Sequence, residues 1–489
     1  MDLVIDLVIV VAYFVIMLFV GWRSRLQSAE CYWVAERRYP TARITLSLVA
    51  TIFGASSTMG IIGLGYSRGL TGAWWSLVGG IALIPFALIL ASRVRALEVY
   101  TLPDILKNAY GKRVAMPAGL MIAVAWCGVI SAQLIAAAKL LEGLFSLDSQ
   151  VALLVVAIVF VLYTYWGGQL SVIRTDFWQF LLFMGGFLIA LIFLVTSQGA
   201  TSTLWKNVPT GHLSFPVSST FGWYEVLVFY PLIVGLPYLV GPDIYSRVLC
   251  AQDDTVARAS AFQAALIVIP LSFLLALFGL AARAQFPGIP AETALPHTLN
   301  ALIPIGLKGL IAAGFLGAIM SSADTCLISA STIMTLNVIR PFRKVSREND
   351  LKATRVTVLI VGFIAWLIAS QQKGIISSLL LGYTVFVGGV VIPTLATFVR
   401  KRFRITSQGA LWAVILGGGS AILGKLNGGA IMKGILTNHG QEFLQTVLGS
   451  HYLSILPILV SLLVILGVSG MTRQKVAKQS KGNGPLDAF

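Results

Sequence analysis

The chain has 489 residues, 57% of them hydrophobic and only 11% charged, with a formal net charge of +16. A soluble globular domain carries about a quarter charged residues, so this composition excludes an ordinary soluble fold. Apolar runs recur along the whole length and predict an all-α polytopic membrane protein embedded in a lipid bilayer.

Thirteen spans are predicted, at 3–21, 44–67, 74–92, 114–146, 149–166, 173–197, 222–241, 259–284, 308–338, 355–371, 376–399, 410–424 and 453–470. The first is too long for a signal peptide and lacks a basic leader and a small-residue cleavage site. Sorting the 35 Lys and Arg by alternate sides puts 27 on the side of Arg23 and 8 on the other. This positive-inside bias predicts an outside N-terminus and a cytoplasmic C-terminus in a cell (inner) membrane. It also accounts for the basic excess without a nucleic-acid partner. The four cysteines form no C-x-x-C and the four histidines do not pair at ligand spacing. Neither a disulfide framework nor a zinc site is expected.

In chain order, the second span is the first irregular one, with A-S-S-T at 55–58 in its middle. Its end carries a G-x-S-x-G match at 65–69, which fails as a nucleophile elbow because it closes a membrane helix and no histidine is expected at its level. Trp74, Trp75 and Trp223 fit an outer aromatic belt. Asp176 opens the sixth span two residues after Arg174, and reads either as an ion ligand or as part of a structural Arg–Asp pair. The seventh span is interrupted by Pro231, Pro237 and Pro242, each of which removes a backbone donor. Asp243 and Arg247, one helical turn apart at its end, read as an inner-gate ion pair or a fold staple rather than as ligands. The ninth span contains G-F-L-G-A-I-M-S-S-A-D-T at 314–325. A carboxylate at membrane depth is costly and marks a partner, a cavity or an ion path. With Ser321, Ser322 and Thr325 around Asp324, the segment offers hard oxygen ligands suited to a small cation. The outer segment 425–452 includes an amphipathic or interfacial piece at 431–448, and residues 471–489 read as a disordered cytoplasmic tail behind a single membrane domain at 1–470.

The two interrupted spans are five apart. That spacing predicts two inverted repeats, at about 44–197 and 222–399, preceded by one extra helix and followed by two. Irregular backbone at membrane depth is tolerated only where it lines a cavity or lies within protein.

Y-W-V-A-E-R-R-Y at 32–39, G-L-G-Y-S-R-G-L at 63–70, Y-W-G-G-Q-L-S-V-I-R-T-D-F-W-Q at 165–179, G-P-D-I-Y-S-R at 241–247 and A-I-M-S-S-A-D-T at 318–325 together resemble the sodium/solute symporter family, whose members have a LeuT-like core. The resemblance implies a 5+5 inverted repeat within thirteen transmembrane helices, and co-transport of sodium with a small-molecule solute. It implies a main sodium site made of the carbonyls of Ala50, Phe53 and Ala318 with the hydroxyls of Ser321 and Ser322. Some members carry a second ion position, which here would use Asp176 with Ser321, Asp324 and Thr325. The aspartate at 324 departs from the commoner hydroxyl-rich pattern; it could strengthen a cation site, take a proton or pair with a basic side chain. Solute-facing positions are Gly54, Ser57 and Thr58 by motif position, with Gln133, Tyr238 and Tyr383 expected beside them from the third, sixth and tenth core helices. The function implied is sodium-driven import of a monocarboxylate, amino acid or similar solute by alternating access, not enzymatic catalysis. Proton coupling in the same fold and a solute sensor without transport are the alternatives.

Overall fold

A computed structural model describes residues 2–25, 27–197, 207–342, 347–372, 374–425, 434, 438–449 and 451–476. Among these residues there is no strand, only the isolated bridges Tyr39–Ala251 and Ser218–Phe221. Lipid offers the backbone no hydrogen-bond partners, so an apolar chain in it must satisfy its amides within helices.

Among the described residues, eleven helical stretches are long and apolar enough to cross a membrane, and two of them run to 41 and 48 residues. A straight 48-residue helix would be about 72 Å long against a hydrocarbon core of about 30 Å. Each long stretch therefore has to break. The longer one does so at Gly168, with φ 57° and ψ −168°, where an added Cβ would also collide with the ring of Tyr32. The other breaks at Gly69, with φ 72°. With these divisions, and Thr41–Ile52 joined to the half-helix behind it, the chain accommodates the thirteen expected crossings.

The elements that build the centre are α1 (Asp2–Arg23), α2 (Thr41–Ile52), α3 (Ile61–Arg68), α4 (Lys112–Phe145), α5 (Ser149–Thr196), α6 (Leu236–Val240), α7 (Pro242–Val248), α8 (Asp254–Gln285), α9 (Leu307–Ile333) and α10 (Ile375–Phe386). The most apolar stretch of α9 is wholly buried, whereas α1 lies at the periphery. Val4, Val8, Val11, Val15 and Phe19 make an exposed stripe on α1, repeating every three to four residues as a lipid-facing side should. The other side of α1 is anchored by a carboxylate. Asp6, fully buried, accepts from the amides of Gly306 and Gly309 at 2.8 and 2.7 Å and pairs with Lys308 at 3.5 Å. It thereby satisfies amide donors at the start of α9 that the helix itself leaves unpaired. Asp6→Ala is expected to cost about 1.5–3 kcal/mol, the range for hydrogen bonds to a charged group. Thermal unfolding of the detergent-purified protein would show it.

Two crossings are discontinuous. After α2, Phe53 takes φ −82° and ψ 51°, and the chain resumes as a wide turn at Ser56–Gly60 before α3. In the other, α6 ends at Gly241, whose ψ of 131° is extended, and α7 begins with Pro242. Proline at a first helical position costs no hydrogen bond, which lets α7 restart there.

Three expectations need correction. Trp75 is 2% exposed and packs edge-on against Tyr230, so it belongs to the core and not to an outer belt, whereas Trp223 is exposed. A histidine does reach the 65–69 segment: the His212 carbonyl accepts from the Leu70 amide at 2.8 Å. The contact is main-chain only, and Ser67 donates back to Leu64, so no catalytic pair forms there. Finally, residues 471–476 continue the last helix, Tyr452–Val476, and the rest of the expected tail lies outside the described residues. Of the expected interfacial piece, Asn438–Leu448 is helical, with Phe443 and Val447 exposed; residues 431–433 and 435–437 lie outside the described residues.

Candidate functional site

Both helix breaks face α9. Where α2 ends, its last-turn carbonyls lose their next helical donors, because Phe53 turns the chain away after giving its own amide to Val49 at 2.9 Å. Ser322 of α9 fills part of this gap by donating to the carbonyl of Thr51. A Cβ at Gly54 would collide with Ser322 and with Gln133, so only glycine permits this approach. Gln133 of α4 holds the unwound segment from the other side, accepting from the Ala55 amide at 2.7 Å. Ala50, Phe53, Ala318, Ser321 and Ser322 are all buried, at 0–3% exposure. Ala318 and Ser322 are one turn apart on α9. Ser322 and the Thr51 carbonyl put neutral oxygens at the break, while Ser321 gives its hydroxyl to Asp176; oxygens of this kind suit a hard cation. Gly54→Ala is expected to cost about 1–3 kcal/mol by overpacking and to reduce sodium-driven uptake further than this loss of stability explains. Thermal unfolding and initial uptake rates on the same preparation separate the two effects.

The ionised groups are arranged differently from expectation. Asp243 and Arg247 share α7 but form no ion pair. Arg247, fully buried, instead meets Asp176 of α5 at 3.3 Å. Its Nε donates to the Thr51 hydroxyl at 3.0 Å and another of its nitrogens donates to Thr325. Asp176 is not paired with Arg174 either, which is exposed. Its carboxylate accepts from Ser321 at 2.7 Å and from Ser47. One guanidinium thus ties α7 to α2, α5 and α9. The residues of the expected second ion position are only partly brought together. Asp176 and Ser321 touch, but Arg247 stands on Asp176 and Thr325, so a second cation there would have to displace a guanidinium. Asp324 points elsewhere: one oxygen accepts from Thr164 at 2.7 Å, and the other is buried with no hydrogen-bond partner. Thr51, Ser47 and Thr164, which hold this network in place, carry no sequence signal, since a lone hydroxyl in a membrane helix ordinarily bonds to its own backbone.

Ser322 also lines a cavity together with Gly54, Ser56, Ser57, Gln133, Tyr238, Asp243, Cys326 and Tyr383, among others. Five of the six expected solute-facing residues therefore share one space. The sixth, Thr58, does not line it; its hydroxyl donates to the Gly54 carbonyl at 2.6 Å and braces the break from within. Asp243, expected at an inner gate, lines the cavity instead, and Cys326 is a lining residue to which no motif pointed.

A polar cavity between two broken helices at membrane depth is the architecture expected of a secondary transporter. The profile of the Sodium:solute symporter family matches residues 32–417, and the chain belongs to that family. It is therefore a multi-pass membrane transporter that couples a solute to sodium, and not an enzyme. It is 26% identical over 457 residues to a sodium/glucose cotransporter of Vibrio parahaemolyticus, covering 84% of this chain and 83% of that one. It is 25% identical over 476 residues to human sodium/glucose cotransporter 4, covering 86% and 68%. Its fold is similar to that of a substrate-bound, outward-open sodium-coupled sialic acid symporter, with a TM-score of 0.76 and 19% identity over 96% of this chain and 98% of the other. The similarity extends to Mhp1, a nucleobase-cation-symport-1 family transporter, at TM-score 0.58 and 14% identity, covering 92% and 95%.

Proposed function

We propose that this symporter imports a small polar organic solute, of the size of a monocarboxylate or an amino acid, with sodium bound by Ala50, Phe53, Ala318, Ser321 and Ser322. The observation that carries this reading is the contiguity of the two sites. Ser322 and Gly54 belong both to the end of α2, where the ion would bind, and to the lining of the solute cavity. Sodium would order the broken helix and so shape the cavity. Such coupling works only if the ion favours one state of the helix over the other, because equal affinity for both shifts nothing. Alternating access then requires opening the Arg247 cluster, which joins four elements on the side of the site nearer the basic loops. In this reading those loops are cytoplasmic, the N-terminus is outside, and the protein resides in a cell (inner) membrane.

The test is uptake into proteoliposomes under an inward sodium gradient against an equal potassium gradient. The panel holds amino acids, monocarboxylates, choline, pantothenate, hexoses and sialic acid, the last two because similar proteins are named for glucose and sialic acid. Sodium-driven accumulation of one solute supports the reading; accumulation that is indifferent to sodium defeats it. A second reading, proton coupling, is favoured by the unpartnered oxygen of Asp324. An isolated carboxylate oxygen in an apolar interior is costly, and a proton removes the charge. It predicts accumulation driven by a pH gradient without sodium and lost in Asp324→Asn.

A further inference from the structure

The cavity wall contains one ionisable carboxylate, Asp243, and no Lys, Arg or His. Among the described residues no cationic side chain forms an ion pair with it. The nearest candidate on its own helix is Arg247, one turn further, whose guanidinium is engaged with Asp176, Thr51 and Thr325. Asp243 is only partly buried, in contrast to Asp176 and Asp324, because it borders this open space. Its position is held on both sides. Pro242 and the extended Gly241 fix where α7 begins, and a Cβ at Gly241 would stand 2.6 Å from Asp243 Oδ1.

A bland role is available. The carboxylate belongs to the first turn of α7, where a negative charge suits the start of a helix. That role leaves lone pairs free, since an ionised carboxylate accepts at about four sites. It also leaves the charge without a counterion inside a membrane domain, where uncompensated charge is expensive. An anionic solute would add a second negative charge to the same space. A cationic one would remove the imbalance, with the aromatic rings of Tyr238 and Tyr383 in the same wall to receive it.

We infer that Asp243 is the counterion of a positively charged group on the transported solute, so that the cargo carries a protonated amine or a quaternary ammonium. This rests on the symporter reading and narrows it, setting amino acids and amines above simple monocarboxylates and sugars. Asp243 is then a binding residue, and the cavity distinguishes a solute from its uncharged isostere.

The experiment measures binding to the purified full-length protein, as ligand-induced thermal stabilisation in sodium. The probes are matched pairs: choline with 3,3-dimethylbutan-1-ol, alanine with lactate, and ethanolamine with ethylene glycol. At least one ammonium probe should bind about 10-fold or more tightly than its isostere, the range for a hydrogen bond or contact to a charged group. Asp243→Asn should erase that preference and Asp243→Glu should retain part of it. The pairs in the wild type need no variant, so the result stands even if Asp243→Asn fails to fold. Sodium alone is titrated in parallel, on wild type and on Ser321→Ala/Ser322→Ala, and reports the ion site independently of any solute. Preference for the uncharged or anionic member of each pair, silence of every ammonium probe, or an unchanged preference in Asp243→Asn overturns the assignment while leaving the sodium result intact. A purely structural role for Asp243 would lower stability in Asp243→Asn without altering discrimination within the pairs.

Discussion

Replacing Ser321 and Ser322 together by alanine is expected to abolish sodium-driven accumulation while leaving a folded protein. In the proposed ion site each hydroxyl would offer a neutral oxygen to the sodium. Losing a hydrogen-bond-strength contact to a charge costs about 1.5–3 kcal/mol, so the pair together weakens sodium binding by about 100-fold or more. Serine to alanine removes one atom from a buried position, and the bonds lost in the absence of sodium are those to Asp176 and to the Thr51 carbonyl. The measurements are sodium-dependent thermal stabilisation and the sodium concentration that half-saturates uptake. Retention of wild-type sodium affinity in the double variant would remove these hydroxyls from the ion site.

The second large effect belongs to the Arg247 cluster. Asp176 and Arg247 are both fully buried, and removing either partner strands the other charge in the interior. Breaking such a pair costs about 3–5 kcal/mol, most of it the cost of leaving a charge uncompensated. Asp176→Asn and Arg247→Gln should each lower the apparent melting temperature sharply. The double variant, with neither charge, should fall by much less than the sum, because neutral amides have smaller desolvation costs and can still bond Ser47, Ser321, Thr51 and Thr325. Additive losses would mean that the two residues act independently and that the ion pair does not hold α7 to α5.

The two predictions touch different kinds of information. The discontinuity of the second and seventh crossings is legible in the residues themselves. Small hydroxyl residues at 56–58 and prolines at 231, 237 and 242 disfavour regular helix locally, whatever packs around them. The 41- and 48-residue helical stretches are likewise separable, because a bilayer admits only about 20 helical residues per crossing. The hydroxyls and carboxylate of 321–325 stand out against an apolar background, and five of the six positions expected to face the solute line one cavity.

Pairing is not legible in this way. The i, i+4 spacing of Asp243 and Arg247 correctly puts them on one face of α7, but spacing says nothing about what other helices bring to that face. Asp176 comes from α5 and Thr325 from α9, and they draw Arg247 inward, while Asp243 sits one turn earlier at the cavity. Thr58 shows the same limit in the opposite direction. Its position in the motif suggests the solute, but a local bond to Gly54 decides its orientation. Asp6 and Trp75 escape a local reading because their environments are made by segments hundreds or scores of residues away, the start of α9 and Tyr230. Composition, proline and glycine therefore determined the membrane class, the crossings and the two breaks, since these depend on the solvent and on local backbone preference. Only the tertiary structure decided which buried charges neutralise each other and which stand without a counterion, because burial makes those energies large and the packed helices alone choose the partners.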